Sequence, residues 1–252
     1  MHIDYDIFNC ADHLWTKNEV HLWHLDANAT SSNVAIRQYL PLLSNAERSR
    51  YQRFNFEQDK HRYLISRGTL RTILSMYLPA YSPQMWQFDQ TTNGKPFVAS
   101  TQTCQLNKTL HFNVSHTKWR TILVFSSSEQ VGVDIEWLVR QTKFKTIIKR
   151  FFSDEEVNEI EGLKSESSQR RRFFEMWTLK EAMIKAKGER IAQALRTTEV
   201  SMEYPPIRKR TEISGHWQLE SYVIGREHVA ALALLQSQPC NIISKHFHAD
   251  FI

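Results

Sequence analysis

The sequence has few cysteines, and it lacks any long hydrophobic run. Cys10, Cys104 and Cys240 are far apart in the 252 residues and form no CxxC pair or other zinc-binding spacing. This pattern argues against a disulfide framework or a zinc site, and it favours a reduced, cytoplasmic setting. Because no stretch of about 18 apolar residues occurs, we expect no transmembrane helix and no membrane partner. Acids in Met1 to Asp6, where a signal peptide would be basic, predict no secretion signal.

The composition is that of an ordinary soluble globular protein. Apolar residues make up 41% of the chain and charged residues 23%, so neither a disordered nor a fibrous protein is indicated. The length suits one large domain or two small ones. The formal charge of +5 favours an anionic partner, which leaves phosphorylated ligands, nucleic acids and acidic proteins open.

The first half of the chain contains candidate phosphate-binding residues. Ser44 to Glu47 has the pattern of a helix capping box, and a strongly basic segment from Arg48 to Arg71 follows it. This segment is either a solvated helix face or a phosphate site, since arginine binds phosphate oxygens through two parallel hydrogen bonds. Lys95, next to a predicted Asn-Gly turn, is likewise either solvated or close to a phosphate.

A strand is predicted from Leu110 to His116. Neighbouring residues on a strand point to opposite faces, so Ser115 and His116 are poorly placed as a nucleophile and its base. Both side chains remain candidates for binding phosphate oxygens at the strand end. The strand Thr121 to Phe125 reads as fully buried, and a serine-rich stretch follows it. We therefore predict two domains, residues 1–127 and 128–252.

The second half contains two pairs of charged residues with regular spacing. Asp134 and Glu136 are two apart on a predicted strand, so they share one face, which is either simply solvated or neutralised by a divalent cation such as Mg²⁺. Glu181 and Lys185 are four apart on a predicted helix that ends at Gly188, and alone they would form an ordinary surface ion pair.

Other second-half segments complete the secondary-structure prediction. A basic helix near Phe144 and a second capping box at Ser153 to Glu156 precede the long helix. Two strands close the chain, from His216 to Ile224 and from His228 to Leu235. In the tail, His246 and His248 are interpreted as surface residues.

Taken in order, these pieces resemble the 4′-phosphopantetheinyl transferases, specifically the larger, single-chain type that includes the surfactin-synthetase-activating enzyme. The segments that carry the resemblance are residues 54–71, 94–96, 112–116, 132–136 and 177–188. Their order and the separation of Asp134 from Glu181 (181 − 134 = 47 positions) match the family pattern.

The resemblance implies an α+β fold with pseudo-twofold symmetry, made of two similar halves in one chain. It implies transfer of the 4′-phosphopantetheine arm of coenzyme A to a serine of an apo acyl or peptidyl carrier protein, with release of adenosine 3′,5′-bisphosphate. Such enzymes serve fatty acid, polyketide or nonribosomal peptide biosynthesis. A Mg²⁺-dependent monomer with its active site between the halves is expected, and no nucleic acid partner.

By position, Asp134, Glu136 and Glu181 resemble the Mg²⁺-binding acids of the family. Glu181 and Lys185 are the expected catalytic residues, with Lys185 also near the diphosphate. The expected coenzyme A contacts are Arg50, Arg62, Lys95, Ser115, His116 and Lys185. The basic helix near Phe144 and the stretch after Gly188 would face the carrier protein.

Two positions depart from a close relative type, which has lysine at the position of Glu47 and a small hydroxyl residue at the position of Tyr63.

Two other functions stay open on the residues alone. One is a Mg²⁺-dependent phosphohydrolase or nuclease that uses the same acids. The other is a basic nucleic-acid-binding protein that uses Arg48 to Arg71.

Overall fold

A computed structural model describes residues 19–103, 110–198, 200, 211–213, 217–237 and 239–247. The predictions for Met1 to Asp6, Cys10, Cys104, His216 and His248 lie outside these ranges. Among the described residues, no helix combines the length and the apolar character needed to cross a bilayer.

Along the chain, groups of successive helices are separated by groups of successive strands. The strands are β1 (Glu19–Asp26), β2 (Phe88–Gln90), β3 (Pro96–Val98), β4 (His111–Thr117), β5 (Arg120–Ser126), β6 (Val131–Trp137), β7 (Thr211–Ile213), β8 (Trp217–Ile224), β9 (His228–Leu235) and β10 (Asn241–His246). The helices are α1 (Ser32–Tyr39), α2 (Asn45–Gln52), α3 (Glu57–Tyr77), α4 (Ser100–Thr103), α5 (Phe144–Phe151), α6 (Asp154–Glu161), α7 (Glu166–Lys187) and α8 (Ile191–Ala194).

Two four-stranded sheets form the centre of the molecule, with strand orders β10-β1-β5-β4 and β6-β9-β8-β7. Strand alternation gives each sheet two apolar faces. In the first sheet, Trp23 and Phe125 pack with α1 and α3, whereas Leu22 and Val124 pack against β6 and β9 of the second sheet. The opposite face of the second sheet packs against α7. The layers are therefore helix, sheet, sheet, helix, which confirms the predicted α+β fold of two halves.

Both predicted capping boxes are present. Ser44 and Ser153 each accept a hydrogen bond from the backbone three residues on, and Glu47 and Glu156 each bind back to the cap. These caps satisfy backbone donors that a helix start leaves unpaired, so they fix where α2 and α6 begin.

The final strand returns to the first half. β10 pairs in parallel with β1, with Glu19 opposite Asn241. The division at residues 127 and 128 remains a prediction, and the last strand lies in the first sheet. His246, which the sequence places on the surface, is half-buried. Its ring stacks on that of His24 at 5.5 Å between centroids, because β10 pairs with β1.

Helix α7 lies directly on β6. A methyl group on Gly132 would overlap the backbone of Ala182 and Ala186, so only glycine permits this approach. α7 ends at Lys187, and Gly188 follows with φ of 70° in the left-handed region, as predicted for a helix C-terminus. The close approach brings side chains of α7 and β6 together.

Candidate active site

An ammonium group lies among three carboxylates between β6 and α7. Lys185 Nζ is 2.6 Å from Asp134 Oδ1 and 3.6 Å from Glu181 Oε2. Gly132, Asp134 and Glu136 are two residues apart on β6, so they lie on one face, which α7 covers. The two acids of the strand therefore lie close to Glu181 and Lys185 of the helix. Lys185 is closer to Asp134 than to Glu181, so the contact is not an isolated helix-surface ion pair.

Ser115 joins the same cluster from β4. Its hydroxyl donates to Asp134 Oδ1 at 2.7 Å and accepts from Lys185 Nζ at 3.1 Å. Two residues earlier, Asn113 Oδ1 accepts a hydrogen bond from the Val133 backbone N–H at 3.1 Å. Ser115 and Asn113 thus link β4 of the first sheet to β6 of the second. Sequence reasoning did not single out Asn113, although this residue lies in the segment 112–116 that carries the family resemblance.

The electrostatics of the cluster are set by burial and by the charge of Asp134. Burial, and then the Asp134 charge, raises the pKa of Glu136 to about 7, although Arg140 opposes the shift. Burial and Asp134 likewise raise the pKa of Glu181 to about 7. Burial alone would lower the pKa of Lys185, but the charges of Asp134 and Glu181 outweigh it and raise that pKa. The carboxylates therefore repel one another and attract a cation.

The donor set fits Mg²⁺. Asp134 Oδ2 is buried and finds no hydrogen-bond partner among the described residues, so one carboxylate oxygen is left for a ligand. Hard carboxylate oxygens in small number are what Mg²⁺ prefers. In the described part of the chain, no three His, Cys, Asp or Glu side chains are already arranged around a metal position. The Lys185 ammonium already contacts Asp134. A bound cation would therefore either share the Asp134 carboxylate with this ammonium or take its place.

Basic and aromatic residues line a cleft of about 230 Å³ beside this cluster. Its lining includes Arg50, Arg62, Tyr63, Arg67 and His116. The ring of Tyr63 lies below the guanidinium groups of Arg50, at 5.6 Å, and Arg67, at 5.9 Å. Burial and the nearby Arg62 charge lower the pKa of His116. The structure thus brings Arg50, Arg62 and His116 into one cleft with Arg67, which sequence reasoning noted only as part of the basic segment.

Lys95 has a different environment. Its Nζ donates to the backbone oxygens of Ala186 at 3.0 Å and Glu129 at 3.1 Å, and burial lowers its pKa to about 8. Its neighbour Pro96 lines the cleft, whereas the Lys95 ammonium points to the end of α7. The structure therefore does not bring this ammonium to the arginines of the cleft.

Glu47 has a structural partner. Its Oε2 accepts hydrogen bonds from Arg71 at 2.6 Å and 2.9 Å, and the Arg71 side chain is only 1% exposed. Arg71 also donates to the backbone oxygens of Pro83 and Trp86. The acid at this position therefore neutralises a buried arginine, which explains why the chain has no lysine there.

Two models of known protein families match most of the chain. The model of the 4′-phosphopantetheinyl transferase superfamily matches residues 130–233, and that of the 4′-phosphopantetheinyl transferase N-terminal region matches residues 29–128. 4′-Phosphopantetheinyl transferase HetI of Nostoc sp. is 31% identical over 217 residues, covering 86% of this chain and 88% of the relative.

Two further relatives are similar over shorter or less identical stretches. 4′-Phosphopantetheinyl transferase Sfp of Bacillus subtilis is 28% identical over 167 residues, which cover 66% of this chain and 69% of Sfp. The L-aminoadipate-semialdehyde dehydrogenase-phosphopantetheinyl transferase of Rattus norvegicus is 28% identical over 217 residues, which cover 80% of this chain and 68% of the relative.

Proposed function

The chain belongs to the 4′-phosphopantetheinyl transferase superfamily, and we propose that it performs the transfer at the Asp134–Lys185 cluster with Mg²⁺ held by Asp134, Glu136 and Glu181. The enzyme moves the 4′-phosphopantetheine arm of coenzyme A to a serine of an apo carrier protein and releases adenosine 3′,5′-bisphosphate. The site assignment rests on the Asp134 carboxylate. Lys185 and Ser115 share one of its oxygens, and the other has no hydrogen-bond partner within the described part of the chain.

The chemistry needs negative charge to be stabilised on a diphosphate. Bound Mg²⁺ would neutralise diphosphate oxygens and make the attacked phosphorus more electrophilic. The serine hydroxyl of the carrier forms a new bond to the phosphorus of the arm, and the bond from that phosphorus to the bridging oxygen breaks. Lys185 would stabilise the leaving phosphate electrostatically. Glu181 would accept the serine proton, directly or through a water molecule.

Coenzyme A would be held through its phosphates and nucleotide by the cleft residues. Arginine forks suit phosphate oxygens, so Arg50, Arg62 and Arg67 are the proposed phosphate contacts. Arg62 already pairs with Asp59 at 2.6 Å, so a phosphate would compete with that carboxylate. Ser115 and His116 are proposed to contact the substrate from β4. Lys95, the remaining expected contact, donates instead to backbone oxygens at the end of α7 and before β6.

The carrier protein would contact the second half of the molecule. On α5, Lys145, Lys149 and Arg150 are exposed beside a buried apolar face. Such a basic surface complements an acidic carrier helix and would increase the rate of encounter. Because one chain supplies both halves of the proposed site, we propose a monomeric enzyme. We also propose that nucleic acid is not a partner.

The deciding experiment weighs the carrier protein after incubation with coenzyme A, Mg²⁺ and the enzyme. We expect a mass gain of one phosphopantetheine arm, and adenosine 3′,5′-bisphosphate in equal amount. Release of nucleotide or phosphate without a carrier would favour the phosphohydrolase alternative. Retention of nucleic acid, with no gain in any of several carriers, would favour the binding-protein alternative.

The metal assignment is tested by Asp134→Ala. We expect this variant to lose transfer while retaining the circular dichroism spectrum and cooperative unfolding of the parent protein. Near-full Mg²⁺-dependent transfer by a folded Asp134→Ala enzyme would show that the cation is held elsewhere.

A further inference from the structure

A tight turn of the first half reaches the end of α7 in the second half. Residues 91–95 form this turn, closed by backbone hydrogen bonds from Thr91 N to Lys95 O at 2.9 Å and from Gly94 N to Thr91 O at 2.8 Å. Gly94 has φ of 88°, a conformation that glycine adopts without strain. The turn therefore presents the side chains of Asn93 and Lys95 in a defined direction.

Both side chains bind the helix end. Lys95 Nζ donates to Ala186 O at 3.0 Å, and Asn93 Nδ2 donates to Gly188 O at 2.8 Å. Arg190 Nε donates in turn to Asn93 Oδ1 at 3.2 Å. Carbonyl groups at a helix C-terminus lack partners within the helix, and a cation there also interacts favourably with the helix dipole. The turn thus caps α7 from the other half of the molecule.

The helix end that the turn binds is the part of α7 that contains Lys185, the lysine of the proposed active site. Ala186 follows Lys185 directly, and its backbone is one of those that a methyl group on Gly132 of β6 would overlap. Lys95 Nζ additionally donates to Glu129 O at 3.1 Å, two residues before β6 begins. One ammonium therefore connects the last turn of α7 with the segment that leads into the strand of Asp134.

We propose that Lys95 is a positioning residue, assisted by Asn93, which fixes the last turn of α7 and thereby the distance between Lys185 and Asp134. Its ammonium acts on backbone oxygens and not on a phosphate of coenzyme A. This inference rests on the function proposed for the Asp134–Lys185 cluster.

The test separates positioning from phosphate binding. We expect Lys95→Met and Asn93→Ala to reduce kcat by about ten- to a hundredfold, since small misplacements of catalytic groups have effects of this size. The Kd of coenzyme A, measured by calorimetry without a carrier, should change by less than about threefold, because losing a phosphate contact would cost more than this. Lys95→Arg should restore most of kcat, since a guanidinium can donate to both carbonyl oxygens. Lys164→Met, in an exposed position just before α7, is the matched control and should behave like the parent.

Hydrogen exchange gives a readout that does not depend on activity. Amides of residues 187–190 should exchange faster in Lys95→Met and in Asn93→Ala than in the parent or in Lys164→Met. A large rise in the Kd of coenzyme A for Lys95→Met, with Asn93→Ala unaffected in rate and exchange, would overturn the proposal and make Lys95 a phosphate ligand. Unchanged kcat and exchange in both variants would also overturn it. If Lys185→Ala retains full transfer, the proposed function of the cluster fails, while the exchange data still decide whether the turn holds α7.

Discussion

Lys185 has contacts that no other described lysine shares: its ammonium touches Asp134 and Ser115, and it lies four residues from Glu181. Burying an ammonium group costs free energy, and pairing with carboxylates or with an anionic substrate offsets that cost. In the proposed mechanism it has both partners in turn, the Asp134 carboxylate before the substrate binds and the diphosphate afterwards.

Replacing Lys185 by alanine should lower the transfer rate by about ten- to a thousandfold, in line with removal of one electrostatic partner of a transition state. Lys187→Ala is the matched control, because Lys187 is on the same helix turn and exposed. Single-turnover rates at saturating coenzyme A measure the effect. An unchanged rate would reduce Lys185 to a residue that only neutralises Asp134.

Glu47 illustrates a residue whose role depends on a distant partner. Changing it to the lysine found in a close relative type would place a second cation against buried Arg71. We expect Glu47→Lys to lower the free energy of unfolding by about 3 kcal/mol or more, as for other buried pairs that lose one member.

Urea unfolding measures this loss, with Glu57→Lys as the charge-matched control. The Glu57 side chain is 83% exposed, so its reversal should cost below about 1 kcal/mol. Equal stability of the two variants, together with tighter binding of coenzyme A by Glu47→Lys, would instead identify position 47 as an altered phosphate contact.

Among the elements, the contact of α7 with β6 decides whether the proposed site can form. Each element has a regular pattern of its own, but Glu181 and Lys185 reach Asp134 only because no side chain stands between helix and strand at Gly132. Glycine at this position is therefore a packing requirement, and it lets the residues of the proposed active site meet.

Gly132→Ala should lower the free energy of unfolding by about 3 kcal/mol, because the added methyl group meets backbone atoms that cannot rotate away. The transfer rate should fall as well, since α7 is displaced from Asp134. Gly162→Ala is a suitable control, as Gly162 has φ of −68° and the nearest atom to an added methyl is 3.1 Å away. A Gly132→Ala enzyme as stable and active as Gly162→Ala would contradict the close approach of α7.

For the whole molecule, the return of β10 to β1 ties the end of the chain to its first strand. His24 on β1 pairs with Ser244 of β10 at 3.0 Å between Nε2 and Oγ, and its ring stacks on His246. Burial, followed by the charges of His246 and Arg120, lowers the pKa of His24 from 6.5 to about 3. The folded protein therefore keeps this imidazole neutral at pH values where the unfolded chain protonates it.

The sign of the pH dependence follows from this difference. The unfolded state binds more protons below pH 6.5, so stability is complete above that value and is lost as the pH falls toward 3. At pH 5 the loss from His24 should be about 2 kcal/mol. Urea unfolding at pH 7.5 and pH 5 should show a smaller decrease for His24→Gln than for the parent. Equal decreases would mean that His24 does not carry this acid sensitivity.

Local patterns in the sequence determined the elements and, through the order of the motifs, the family. Strand alternation placed Asp134 and Glu136 on one face, and helical spacing did the same for Glu181 and Lys185. The helix end at Gly188 and the two capping boxes were equally readable, because each depends on residues within a few positions of one another.

Contacts between residues distant in the chain were decided only by the tertiary structure. The pairing of β10 with β1, the neutralisation of Arg71 by Glu47, and the binding of Lys95 to the end of α7 each join separate segments. Periodicity and caps describe a segment by itself, whereas these contacts depend on how the layers pack. The sequence therefore indicated the charged residues of the proposed site, and packing decided which partner each of them meets.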